Sequence, residues 1–218
     1  MNESLGILET TGLTPTMAAV DRMEKSGDVR VVQCELNDAL GVVTKIVGDA
    51  AAVQSAIAAG VAMAEQLGGA PLSTVIPRPD PRGWEAIQSP PTHNPLVQQD
   101  VVFFPKFETV PPTTPTAARA GKEVPMSTEN FALGFIETQG FTAVYEAIDT
   151  ACKAGNVEVV GKEKLGGGYI AVVIKGDLSS VTAAIDAGRK KVEGLGKLIA
   201  AHVLARPSST VLALLPKP

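Results

Sequence analysis

The sequence LGILETTGLT at residues 5–14 returns as LGFIETQGFT at residues 133–142. The same offset of 128 positions aligns residues 4–79 with residues 132–207 without a gap, and 28 of the 76 aligned positions are identical. Chance agreement would be roughly one position in fifteen to twenty. The chain therefore contains a duplicated domain, and a unit this long, present only twice, is not a solenoid repeat.

Each repeat predicts the element order β-α-β-β-α-β. The first repeat has apolar, β-rich segments at 5–10, 29–35, 42–47 and 72–79 and helical segments at 15–26 and 50–67. This order is a split βαβ arrangement. We therefore predict an α+β (α/β) fold with two tandem ferredoxin-like-type domains, each an antiparallel-rich sheet with helices on one face.

The helix boundaries follow from capping signals. Thr14 and its counterpart Thr142 are predicted N-caps, and Pro15 suits the first helical position. Glycines are predicted to end the helices, at Gly27, Gly68, Gly155 and Gly196. The second helix of each repeat is predicted to start at a capping aspartate, Asp49 or Asp177.

One face of each second helix is predicted to be buried, because small and apolar residues recur at i, i+3, i+4, i+7 and i+11. The stripe is Val53, Ala56, Ile57, Gly60 and Ala64 in the first repeat, and Val181, Ala184, Ile185, Gly188 and Val192 in the second. The small residues permit close approach to the sheet.

A proline-rich segment separates the repeats. Residues 91–129 contain seven prolines, which remove backbone donors and exclude a regular helix or a central strand. We predict a first domain at 1–90, a linker at 91–129 and a second domain at 130–218. The apolar stretch VVFFPKF at 101–107 is expected to lie against one of the domains.

Composition excludes several classes of function. The net charge of −4 and the aromatic content of 4% argue against binding nucleic acid. No apolar run reaches 18 residues, and the N-terminus lacks the pattern of a secretory signal, so no membrane association is expected. Two cysteines, Cys34 and Cys152, are too few for a disulfide framework and indicate a reducing compartment.

The glycine-rich stretch KEKLGGGYIAVVIKGD at 162–177 does not have the form of a phosphate-binding loop. A Walker loop needs a lysine directly after its glycines, but Gly168 is followed by Tyr169. The glycines also lead into a predicted strand and not into a helix N-terminus. Nucleotide binding through this loop is therefore not expected.

The other residues do not predict a catalytic or metal site. The only histidines are His93, in the linker, and His202, in a predicted strand. Cys34 and Cys152 lie at non-equivalent positions and lack metal-binding spacing, so we interpret each as a small buried or half-buried apolar residue. Glu9 and Glu137 recur in both copies, and we favour residues that bond backbone at a subunit contact over an acid/base pair.

Taken together, the motifs resemble the bacterial microcompartment (BMC) shell domain. They are LGxxET-x-G, a helix with D-x-x-x-K, a loop before a strand that ends in Gly-Asp, and a closing Arg-Pro. Two copies resemble the tandem, non-permuted class of shell proteins, in which three chains form a pseudohexameric disc. The resemblance implies a homotrimer in a shell within the bacterial cytoplasm, other shell proteins as partners, and no enzymatic activity.

The resemblance also assigns roles to residues by position. It places a central pore for small metabolites at Asn37, Asp38, Ala39, Leu40, Leu165, Gly166, Gly167 and Gly168, and disc-edge assembly contacts at Lys25, Lys153, Arg78 and Arg206. Three copies of Asp38 near the lumen would disfavour anions. Some tandem relatives hold an iron–sulfur cluster on a pore cysteine, but this chain has Asp38 and Gly166 there, so no cofactor is expected. The alternative function is a duplicated module that binds a small regulatory molecule.

Overall fold

The computed structural model of the protein describes residues 3–37, 40–80, 83–84 and 131–216. The first repeat comprises β1 (Ser4–Thr11), α1 (Leu13–Ser26), β2 (Val29–Asn37), β3 (Gly41–Gly48), α2 (Ala50–Gln66) and β4 (Leu72–Ile76). The second comprises β5 (Ala132–Gln139), α3 (Phe141–Ala154), β6 (Glu158–Gly166), β7 (Tyr169–Gly176), α4 (Leu178–Lys191) and β8 (Lys197–Ala205), followed by the short helix α5 (Ser209–Ala213). The predicted element order is confirmed in both repeats.

Each repeat forms a four-stranded antiparallel sheet with its two long helices packed together. The strand orders are β2-β3-β1-β4 and β6-β7-β5-β8, so equivalent strands occupy equivalent places. The first strand of each repeat carries a glycine where the second helix crosses it. A Cβ at Gly6 would lie 2.8 Å from Ile57, and one at Gly134 would lie 2.7 Å from Ile185. These contacts confirm the predicted α+β fold and the close approach of the second helix.

The predicted helix stripes are also confirmed. The buried residues of α2 are the five predicted ones. In α4 the predicted residues from Val181 to Gly188 are buried, and Val192 is buried just beyond the helix. Asp49 and Asp177 cap these helices as predicted, since their side chains accept backbone N–H groups of the first turn.

Three predicted helix boundaries are wrong. The N-cap residues of α1 and α3 are Gly12 and Gly140, with φ of 89° and 119°, so the helices begin before Thr14 and Thr142. A left-handed glycine turns the chain earlier than a threonine cap would. The helix α4 ends at Lys191, before Gly196, and Gly194 with φ of 79° makes the following turn.

The two repeats form one compact unit. The predicted linker, its apolar stretch 101–107 and His93 lie outside the described residues, so the predicted domain boundaries stay predictions. Within the parts of the chain that are described, no helix is long and apolar enough to span a membrane.

Candidate functional site

The second repeat covers helix α1 of the first repeat. Residues of β5 alternate between two faces, and Gly134 and Ile136 point toward α4 of their own repeat. Phe135 and Glu137 therefore point the other way. Both are fully buried, and Glu137 reaches the first turn of α1. Strand β5 of the second repeat is thus buried on both faces.

Glu137 caps α1 across the repeats. Its two carboxylate oxygens accept the backbone N–H groups of Leu13 at 3.0 Å and Thr14 at 2.8 Å. These N–H groups have no partner within the helix, and the helix dipole favours a negative charge beside them. Burial raises the pKa of Glu137, and the two backbone hydrogen bonds offset part of that rise. Glu137 thus bonds backbone as predicted, but it does so between the two repeats of one chain and not at a contact between subunits.

An apolar cluster joins the two repeats around this cap. It contains α1 residues and residues from β5, β7, β8 and α5, among them Leu13, Met17, Phe135, Val173, Leu204 and Val211. Phe135 and Val173 are register partners on neighbouring strands. The contact between repeats is therefore part of the hydrophobic core and not a polar surface contact.

A polar group lies at the rim of the same contact. Lys25 donates to Asp21 at 2.6 Å and to the backbone oxygen of Arg206 at 3.0 Å. Asp21 also accepts the backbone N–H of Ser208 at 3.0 Å. Two of the predicted edge residues, Lys25 and Arg206, thus meet within one chain.

The equivalent lysine–aspartate pair in the second repeat is exposed. Lys153 pairs with Asp149 at 2.5 Å, and their side chains are 74% and 56% exposed. For Lys25 and Asp21 the exposed fractions are 43% and 9%. Arg78 is also exposed. The second repeat presents the lysine–aspartate pair without the neighbouring backbone that covers the first.

The predicted pore loops lie side by side in the chain. Gly166, Gly167 and Gly168 all have positive φ, and so does Leu40. The Leu40 side chain lies over Gly167, where a Cβ would come within 2.7 Å of it. Leu40 of the first repeat therefore leaves no room for a side chain at position 167 of the second repeat.

Backbone hydrogen bonds hold both loops at the start of a helix. Gly12 donates to the Leu40 oxygen at 2.8 Å, and Gly140 donates to the Gly168 oxygen at 2.9 Å. Asn37 closes its own loop by accepting the Gly41 N–H at 2.8 Å. Asp38 and Ala39 lie outside the described residues. Leu165 is buried in the cluster that joins the repeats, so its side chain faces the core and not a lumen.

Substituting Gly167 tests the contact with Leu40. Gly167→Ala should destabilise the chain by about 1–3 kcal/mol, because a Cβ there is both strained and too close to Leu40. Adding Leu40→Ala should restore the steric part of the loss. Thermal unfolding of both variants measures this. Gly168→Ala is the control for backbone strain, since Gly168 also has a positive φ but its Cβ would meet Gln139 at an ordinary 3.6 Å. If Leu40→Ala recovers no stability in Gly167→Ala, or recovers as much in Gly168→Ala, the contact is contradicted.

The other described residues considered for catalysis or metal binding are His202, Cys34 and Cys152. His202 lies on strand β8, as predicted, and burial lowers its pKa. Cys34 is half-buried, as expected, but the prediction for Cys152 is wrong because that side chain is exposed on α3. Among the described residues, no group of three or more His, Cys, Asp and Glu side chains could hold a metal ion.

Comparisons with known proteins agree with this architecture. The protein-family model for the BMC domain matches residues 4–79 and residues 132–207, which together make up more than half of the chain. The chain belongs to the BMC-domain family. The two matches begin and end at equivalent residues of the two repeats, so the whole duplicated unit is a BMC domain.

The relatives include single-domain and full-length matches. Bacterial microcompartment shell protein PduA of Citrobacter freundii is 45% identical over 86 residues, which are 39% of this chain and 92% of PduA. Carboxysome assembly protein CcmO of Synechococcus elongatus is 32% identical over 216 residues, 99% of this chain and 69% of CcmO. A crystal structure of a microcompartment protein from Desulfitobacterium hafniense covers 98% of this chain and 99% of its own, at 25% identity and a TM-score of 0.37.

The sequence predicted the glutamate but not its partner. The repeated Glu-Thr pair indicated a contact residue, whereas nothing in the pattern indicated that Leu13 and Thr14 of the other repeat supply the N–H groups. The exposed aromatic residues Phe141 and Tyr145 of α3 were also missed. Aligning the repeats shows the signal, since Leu13 and Met17 of the first repeat correspond to the aromatic residues Phe141 and Tyr145 of the second.

Proposed function

We propose that the protein is a structural shell component of a bacterial microcompartment, in which three chains close into a pseudohexameric disc that tiles with other shell proteins. The observation that carries the proposal is the contact between the repeats. One chain already joins two BMC domains through a capped helix and a shared apolar cluster. Repeating that contact between chains joins them head to tail. A head-to-tail contact gives a closed ring when the rotation between neighbours adds up to a full turn.

The centre of the disc is the proposed metabolite pore. The two loops that carry Leu40 and Gly166–Gly168 lie beside each other, as neighbours around an axis would. Their lining would combine the Leu40 side chain, the side chains at 38 and 39, and exposed glycine backbone. The proposed role is passage of small solutes and not catalysis, and the BMC-domain relatives named above are described by shell and assembly functions.

The rim residues are proposed to join one disc to the next. Lys25→Ala and Lys153→Ala should leave trimers intact but impair the formation of layers, because the family resemblance places both lysines at the disc edge and both side chains are exposed in the single chain, by 43% and 74%. Sedimentation measures the trimer, and electron microscopy measures the layer. Lys190→Ala, which alters an exposed lysine on α4, is the control and should still form layers. Loss of trimers in either rim variant would contradict the edge assignment.

Electron microscopy of the purified wild-type protein tests the function itself. Extended layers with hexagonal spacing, together with a trimer in sedimentation, support the shell role. A chain that stays monomeric at every concentration and forms no layer alone or with single-domain shell proteins would overturn it.

A further inference from the structure

We infer that a second copy of this chain docks on the open face of α3 and that Glu9 of that copy caps the N-terminus of α3. The inference rests on the proposed ring of chains and assigns the residues that close it. The open α3 face is defined by four residues, Phe141, Thr142, Tyr145 and Asp149.

The burial of the two repeats differs at this face. Phe141 is 38% exposed and Tyr145 is 46% exposed, whereas their counterparts Leu13 and Met17 are 5% and 4% exposed. Thr142 and Asp149 are exposed too, and their counterparts Thr14 and Asp21 are buried. The four positions follow helical spacing and share one side of the helix. The side of α1 that the second repeat covers is therefore uncovered on α3.

The cap is missing at the same place. Among the described residues, no side-chain acceptor is found for the backbone N–H groups of Phe141 and Thr142, whereas Glu137 accepts those of Leu13 and Thr14 at the start of α1. A Cβ at Gly12 would lie 3.1 Å from a Glu137 oxygen. A Cβ at Gly140 would have its nearest neighbours only at 4.0 Å. The position that a carboxylate fills above α1 is thus open above α3.

The complementary surface lies on the first repeat. Strand β5 is buried on both faces up to Thr138, whereas in β1 the residues Ile7, Glu9 and Thr11 are only half-buried. The neighbouring strand β4 exposes Leu72 by 70%. Trp84 packs with Leu5 and Val47 at the far end of this face, and Ile7 borders that cluster, so the open part lies around Glu9 and Thr11.

These two open surfaces identify the occupant as another copy of the chain. Each is the repeat-related counterpart of one half of the contact that already exists between Glu137 and α1. An aromatic pair on α3, with ring centroids 6.1 Å apart, would bury apolar area against the β1 face. Head-to-tail pairing of unlike surfaces continues until a ring closes.

Glu9 can make this contact without giving up its present one. In the single chain it accepts a hydrogen bond from Asn37. An ionised carboxylate offers about four acceptor positions, so the backbone N–H groups of Phe141 and Thr142 can be accepted as well. The positive end of the α3 dipole favours the charge.

Cross-linking between two differently tagged chains tests the juxtaposition. One chain carries Glu9→Cys and the other Thr142→Cys, both with Cys34→Ala and Cys152→Ser. After co-expression, a short bismaleimide should join unlike chains, and mass spectrometry should locate the link between positions 9 and 142. Neither tagged chain should cross-link when expressed alone. The matched pair Lys25→Cys and Arg206→Cys, placed in one chain, should cross-link within that chain, because both residues are exposed and Lys25 contacts the Arg206 backbone across the repeats.

Two results would overturn the inference. One is a trimer in which positions 9 and 142 do not cross-link while the matched pair does. The other is a bismaleimide link within a single chain that carries Thr142→Cys and Phe104→Cys, which would make the segment 101–107 the occupant. In both cases the trimer survives, so the proposed function stands. A wild-type chain that never associates would overturn the proposed function and the inference together.

A substitution on the open face gives an independent measurement. Tyr145→Asp should weaken chain association by at least tenfold in sedimentation while the melting temperature of the dilute chain stays close to that of the wild type. Glu9→Ala should act in the same direction. Unchanged association in both variants would contradict docking at α3.

Discussion

Glu137→Ala should lower the free energy of unfolding of the single chain by about 3 kcal/mol or more, because two buried N–H groups lose their acceptors at once. The side chain is fully buried, so water does not replace it. The loss also opens a cavity at the contact between the repeats. Chemical denaturation at low protein concentration measures the effect.

Glu9→Ala is the matched control for this prediction. Glu9 is the repeat-related residue, but it is only half-buried and caps no helix among the described residues. Its removal should change the stability of the dilute chain by less than about 1 kcal/mol. A loss in Glu137→Ala no larger than in Glu9→Ala would show that the cap across the repeats contributes little to stability.

The same carboxyl predicts a pH dependence with a definite sign. Burial raises the folded-state pKa of Glu137 above its ordinary value of 4.5. The folded chain then binds the proton more tightly than the unfolded chain, so this contribution is full below the unfolded pKa and is lost as the pH rises through the folded pKa. In Glu137→Gln, which does not titrate, this part of the dependence should vanish. If the free energy of unfolding of the wild type, relative to that of Glu137→Gln, increases as the pH rises, the predicted sign is wrong.

Sequence predicted most of the fold because local signals and the repeat agree. The stripes on α2 and α4 and the caps at Asp49 and Asp177 are local patterns, and each recurs 128 residues later. Agreement between two copies removes much of the ambiguity of a single one. The helix starts were wrong because a threonine before Pro15 resembles a cap, whereas the glycine two residues earlier makes the turn.

The candidate site was less predictable, since it depends on contacts between the repeats. Helices α1 and α3 are equivalent in sequence pattern, yet α1 is almost entirely buried and α3 is half open. Periodicity reports the face toward the helix's own sheet and cannot report a second covered face. The loop difference has the same origin, because Gly167 lies under Leu40 of the other copy.

Phe135→Ala should produce the second large effect, a loss of about 3–5 kcal/mol in the free energy of unfolding. Phe135 is fully buried on the face of β5 that lies against the first repeat. Truncation would leave a cavity between Val173 of the neighbouring strand and the residues of α1. For a chain of this size the melting temperature should fall on the order of 10 °C.

Phe141→Ala separates this effect from the general cost of removing a phenylalanine. Phe141 is 38% exposed on α3, so the dilute chain should lose less than about 1 kcal/mol. Phe141→Ala should weaken the association of chains more than Phe135→Ala does. Phe141 lies on the open α3 face, whereas Phe135 is already covered within the chain. Equal losses of chain stability in the two variants would mean that the repeats do not depend on their shared core, and that the contact within one chain is a poor guide to the contact between chains.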